Sequence, residues 1–284
     1  MPHADTWPTL AALLVAATVY ARGWWALSQR MPMRFGSGRL AAFLGGLAVI
    51  AVALASPIDT LAAGRLSAHM VQHQLLMMLA PPLLWLGAPV APLLRGLPRP
   101  MRRLVAAALA SRVLRPAAHV VAHPAFGWVS FALAFWIWHA APLYQLALRS
   151  HAWHHVEHAC FVATAMLFWR PVIHAWPDRA PWPRWTMIPY LLLADLQNTI
   201  LAAILAFSDR LIYPAYASVA AGRLSALDDQ ALAGVIMWVP GSLVFLVAAI
   251  WLAMEALSGA HAVPGVASSD SYGFGRRAVV KYLR

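Results

Sequence analysis

The stretch from Ser67 to Pro89, SAHMVQHQLLMMLAPPLLWLGAP, opens an apolar run with two histidines four residues apart. On a helix His69, His73 and Met77 stack along one face, because positions i, i+4 and i+8 lie nearly above one another. Imidazoles inside a bilayer-length segment are costly unless something binds them, so the pair marks a functional site. Neutral imidazole ligates copper, zinc, iron or nickel, and a neighbouring thioether favours copper(I). The residue type recurs as His139 in WIWHAAPLYQLAL and as His151, His154, His155 and His158 in HAWHHVEHACF. His154 and His158 share a helical face. The expected ligands are His69, His73, His139, His154 and His158, with Met77 or Met237 as a soft extra donor and a copper ion as the bound species.

Plainer roles suit the other candidates. His3, His119, His123, His174 and His261 read as interfacial anchors, His151 and His155 as non-ligands, and Met70, Met77 and Met78 individually as packing residues. The run from His154 to His158 fits H-x-x-E-H, a zinc-peptidase pattern, but an obvious further carboxylate ligand is lacking. Glu157 is therefore expected to orient a histidine by hydrogen bonding. Asp195 sits near the middle of another apolar run, with Asn198 and Thr199 one turn on, a placement that suits proton movement or helix pairing. Asp228, Asp229 and Gln230 open the last run, where they are expected to cap its N-terminus, and Met237 and Trp238 follow about two turns later.

Positioning these groups requires a membrane bundle. Of 284 residues, 62% are hydrophobic and 11% charged, far more apolar than a water-soluble domain, and mean hydropathy is +0.65. Seven spans are expected: Trp7–Leu27, Leu40–Pro57, Ala68–Leu94, Ala125–Leu148, Trp153–Val172, Trp185–Phe207 and Gln230–Leu257. Trp24, Trp25, Trp182, Trp185, Tyr213 and Tyr216 lie near run ends, as an interfacial aromatic belt would. Arg112 and Arg115 argue against a span over 102–121, which reads instead as one amphipathic helix on the membrane surface.

The 21 basic residues fix an expected orientation. All but Arg65, Arg149, Arg210 and Arg223 fall in alternate connections or the C-terminal tail, which puts the N-terminus outside and the C-terminus in the cytoplasm. The same distribution sets aside nucleic acid as the reason for the net charge of +11. The bundle is expected over 1–257, with a flexible basic cytoplasmic tail over 258–284 that can touch anionic lipid. With this topology, seven of the 12 histidines open from the outer third of three consecutive spans. One cysteine, Cys160, leaves no disulfide framework and no Cys-x-x-Cys clamp. The N-terminal segment lacks the basic region of a signal peptide.

Several motifs resemble the CtaG family of bacterial membrane proteins, assembly factors for caa-type cytochrome c oxidases. They are SPIDTL at 56–61, HMVQHQLLMMLAPPLLWLGAP at 69–89, WHAAPLYQLAL at 138–148, WHHVEHACFVATAMLFWRPV at 153–172 and DQALAGVIMWVPG at 229–241. The resemblance implies a multi-pass protein of the bacterial cytoplasmic (inner) membrane that matures the copper-containing part of a haem–copper oxidase. It carries over onto His69, His73, His139, His154, Glu157, His158, Asp229, Met237 and Trp238. The expected role is non-enzymatic: a metallochaperone that binds copper at the periplasmic side and passes it to an oxidase subunit, with other copper chaperones as further partners. Three rivals remain at this stage. They are a haem-binding or redox protein with axial histidines, a proton-coupled transporter built around Asp195, and a scaffold whose histidines are structural.

Overall fold

A computed structural model describes residues 6–176, 182–217 and 224–260, all helical or loop. The helices are α1 (Thr6–Ser28), α2 (Ser37–Ala55), α3 (Pro57–Ala62), α4 (Leu66–Gln74), α5 (Ala80–Leu86), α6 (Val90–Gly96) and α7 (Arg99–Ala110). They continue with α8 (Leu114–Val121), α9 (Pro124–His139), α10 (Ala141–Arg149), α11 (His151–Ile173), α12 (Met187–Phe207) and α13 (Ala226–Ala260). Among the described residues, five helical segments are long and apolar enough to cross a membrane, and the number is seven if each of two bent pairs is one span. Large aliphatic side chains stand exposed along α1, α12 and α13, among them Leu14, Ile200, Leu243 and Val247. Such a surface is stable facing lipid rather than water.

The third and fourth expected spans are not single rods. The third bends by 71° between Leu86 and Val90, and the fourth by 74° between His139 and Ala141. In the third, Gly87 ends α5, Ala88 takes a left-handed φ of 49° and Pro89 follows. In the fourth, Ala140 is extended and Pro142 sits in the first turn of α10, where its missing N–H leaves no hydrogen bond unmade. The expected helix over 102–121 is likewise two helices, because Ser111 turns extended and closes α7. Of the tail expected from 258, residues 258–260 continue α13 instead, and the rest lies outside the described residues, as do His3 and His261.

Between α4 and α5 the chain widens into a π-helical turn, Leu75–Leu79, in which the Ala80 N–H donates to the Leu75 carbonyl. Pro81 cannot donate to the carbonyl of Met77, which instead accepts from the Trp169 indole of α11 at 3.0 Å. That bond is one way the histidine helix is fastened to its neighbour.

Two apolar cores result. The larger one joins α4, α9, α11, α12 and α13 around Phe131, Phe161, Phe168, Trp169 and Phe245. The smaller one packs α1 and α2 against α5 through Tyr20, Phe43, Leu47 and Leu84. Here α1 meets α6 almost backbone to backbone: a Cβ on Gly23 would lie 1.8 Å from the Pro92 carbonyl oxygen, and one on Gly96 as close to that of Val19. Gly23→Leu is expected to cost about 3 kcal/mol, the upper range for overpacking, since a backbone carbonyl cannot rotate away. Gly45→Ala, with nothing within 4 Å, is expected to stabilise by about 0.5–1 kcal/mol. Thermal melts of the two variants in detergent, moving in opposite directions, check the crossing.

Candidate metal centre

The ends of α2, α9 and α12 and the starts of α4, α11 and α13 gather at one end of the bundle. Hydrogen bonds tie their connections together. Tyr213 Oη donates to the His139 carbonyl at 2.7 Å, and Tyr216 Oη to the Ala62 carbonyl at 3.2 Å. Gln230 accepts from the Ile212 N–H and donates to the Arg210 carbonyl. The start of α4 has no side-chain cap of its own. Asp229 of α13 supplies it from across the bundle, its Oδ2 accepting from Leu66 N at 2.7 Å and Ser67 N at 3.3 Å, while Ser67 Oγ donates to Oδ1. A carboxylate at a helix N-terminus satisfies donors that the helix leaves unpaired and opposes its dipole favourably. Asp229 was expected to cap α13; there, Ser225 and Asp228 exchange the capping bonds instead.

Gln72 completes the fixing of α4 by donating to the Ala53 carbonyl and to Asp59 Oδ1. With the helix so held, His69 and His73 project into the bundle, 1% and 3% exposed. From α11 come Glu157, fully buried, and His158. One ligand atom from each of His69, His73, Glu157 and His158 lies within 4.8 Å of the others. His69 Nε2 is 4.0 Å from Glu157 Oε2, and His73 Nε2 is 3.8 Å from Oε1. These separations exceed hydrogen-bonding distance. Donors bound tetrahedrally at 2.0–2.1 Å would stand about 3.3 Å apart, so small side-chain adjustments close the set on an ion.

The decisive property is that these donors make no hydrogen bond to the protein. Both nitrogens of His73, both oxygens of Glu157, and Nε2 of His69, His139, His154 and His158 are buried without a hydrogen bond. Each such group costs about 1–3 kcal/mol, so a protein does not collect several of them at one point by accident. The chemistry of the set, three imidazoles and a carboxylate, fits a transition-metal cation.

His139 and His154 flank the four. The His139 ring is 5.7 Å from that of His73, and its Nδ1 faces the Phe135 carbonyl at 2.7 Å. A carbonyl only accepts, so Nδ1 carries the proton and Nε2 offers its lone pair. The His154 ring lies tilted 4.2 Å from that of His158 and 5.3 Å from that of His69. All five expected histidines are thus brought together, and Glu157, expected behind the imidazoles, stands among them. His151 and His155 lie exposed with their rings 6.0 Å apart.

The remaining expected residues lie outside this set of gathered donors. Met77 and Met237 are buried in the adjoining apolar core. Trp238 meets Phe207 edge-on. Asp195 accepts from Ser242 Oγ at 2.6 Å, and Asn198 donates to the Met237 carbonyl at 3.0 Å, so both tie α12 to α13. Their place near run ends marks Tyr213 and Tyr216 as belt residues, whereas they are 1% and 4% exposed. Tyr216 Oη lies 3.3 Å from His69 Nδ1 and 3.1 Å from Tyr144 Oη. Burial pushes the Tyr216 phenol above the ordinary tyrosine range, which keeps it a neutral hydroxyl beside the imidazole.

Fold and site together define a multi-span helical membrane protein with a buried His–His–Glu–His donor cluster able to chelate a metal. Residues 18–258 match the family described as cytochrome c oxidase caa3 assembly factor (CtaG). The chain belongs to this family, and is a multi-pass bacterial membrane protein. Uncharacterized proteins of Mycobacterium bovis and Mycobacterium tuberculosis are each 33% identical over 182 residues, 61% of this chain and 27% of theirs. A Mycobacterium leprae protein is 27% identical over 217 residues, 71% of this chain and 31% of its own length. The chain spans less than a third of these curated relatives. No solved structure matches it.

Proposed function

We propose that the chain holds copper as cargo at the His69–His73–Glu157–His158 cluster and delivers it to a subunit of a haem–copper cytochrome c oxidase. The observation that carries this reading is the convergence of partnerless buried donors from α4 and α11 in a member of an oxidase-assembly family. His139 and His154 act as exchange ligands, each presenting an unpaired Nε2 beside the four. Met77 and Met237 are the proposed thioether donors for the copper(I) state. Asp229 acts by holding α4, and Trp238 by packing.

The cluster end of the bundle carries the basic-poor connections, which supports a periplasmic location in the bacterial inner membrane. Delivery then occurs on the outer side, with the oxidase subunit or another copper chaperone docking there. The donor set disfavours axial haem ligation: three imidazoles and a carboxylate converge within 4.8 Å of one another, an arrangement that suits one small ion better than two axial ligands on opposite faces of a haem. A transporter centred on Asp195 is disfavoured by the Ser242 bond that engages its carboxylate.

Elemental analysis and an absorption spectrum of protein purified from native membrane test the reading. Copper close to equimolar with the chain, lost in the His69→Ala/His73→Ala double variant, is expected. A Soret band, or unchanged copper in that variant, would overturn it.

A further inference from the structure

Beside the buried cluster is a second feature that ligand binding there does not explain. A cavity of about 500 Å³ lies at the same end of the bundle, bounded by Asp59, His69, Arg149, His151, His154 and Tyr216 among others. It holds roughly fifteen times a water's share of liquid volume, ample for a hydrated or still-chelated ion. Its outer wall includes the exposed His151, and its inner wall is His69, which is only 1% exposed. His69 is therefore a partition. Its Nδ1 lies against Tyr216, while its Nε2, without a hydrogen bond, turns to Glu157. His154 stands at the same boundary, with a partnerless Nε2 and its ring 4.2 Å from that of His158.

We propose that this cavity is a second, weaker cation site, a vestibule in which Asp59, His151 and His154 receive copper before His154 and His69 pass it to the buried cluster. The inference rests on the copper reading of that cluster. Asp59 supplies negative charge and His151 and His154 supply imidazoles, a set that attracts a soft or borderline cation without enclosing it. A ligand spacing of one ring contact between His154 and His158 lets the ion exchange donors stepwise, never leaving coordination for the apolar core. Arg149 opposes the cation from the rim, which keeps residence in the vestibule brief.

Rapid mixing tests this with the full chain in detergent. Copper(I) is presented as its cationic acetonitrile complex, the reaction is stopped with excess chelator at intervals, and retained copper is measured by elemental analysis. His151→Gln is expected to slow loading at least tenfold while the end point stays at the wild-type level. Asp59→Asn is expected to slow it similarly, and Arg149→Gln to speed it several-fold. The opposite signs separate a cation path from a disturbed fold, which matters because Asp59 also bonds Gln72. Loading to completion at a rate indifferent to His151→Gln, or slowed by Arg149→Gln, would overturn the vestibule alone. A wild-type chain that retains no copper would overturn both readings.

Discussion

Glu157→Leu should make the metal-free protein more stable and weaken its hold on copper. Fully buried, the Glu157 carboxyl accepts no hydrogen bond from the protein at either oxygen. Burying such a group costs about 1–3 kcal/mol, and an apolar side chain of similar volume removes that cost. The copper-free melting temperature is therefore expected to rise. Binding moves the other way. Four-ligand sites supply roughly 10–16 kcal/mol, so losing one donor weakens affinity by about 10²–10³-fold. A glutamate retained for packing alone would give the reverse pattern, a lower melting temperature with copper affinity untouched. Thermal melts with and without copper, paired with a copper titration, distinguish the two.

Asp229→Ala should be among the most damaging single substitutions at this end of the bundle, although the side chain is no ligand. It leaves Leu66 N, Ser67 N and Ser67 Oγ without their acceptor in a buried setting. The three bonds share one carboxylate and are not additive, and removing one partner of a buried charged contact costs about 3–5 kcal/mol, which is the loss expected here. His69 begins the next turn of the same helix, so copper affinity should fall alongside stability. Asp229→Asn keeps one acceptor and should lose about half as much. Ser67→Ala, which removes a single donor, should cost roughly 1 kcal/mol. Equal melts for Asp229→Ala and Ser67→Ala would refute the cross-bundle cap.

These two residues also mark how far the sequence alone could be read. Periodicity and hydropathy sufficed for an all-helical membrane bundle, and the histidines of three runs were legible as one site. A ligand stripe needs only local spacing: His69 with His73, and His154 with His158, each recur at four. Asp229 was misassigned because capping in trans joins residues 163 and 162 positions apart, which no local pattern encodes. Tyr216 was missed for the same reason, its contact with His69 spanning 147 positions. The bends after Leu86 and His139 did leave a mark, Pro89 and Pro142, but continuous apolarity across them concealed the break. Glu157 was placed in a supporting role because its distance to His69 and His73 depends on how α4 and α11 pack.

The wide turn at Leu75–Leu79 has a further meaning. An extra residue in one turn lets the two halves of the third span keep separate angular settings: the upstream half points imidazoles inward, and the downstream half seats Leu84 and Trp85 in their cores. Removing a single residue there would restore an ordinary helix and swing one half by about 100° about the axis. The histidines would then face a different neighbour with every donor still present in the chain. Length at this point is thus as binding a constraint on descendants of this gene as the identity of the ligands themselves.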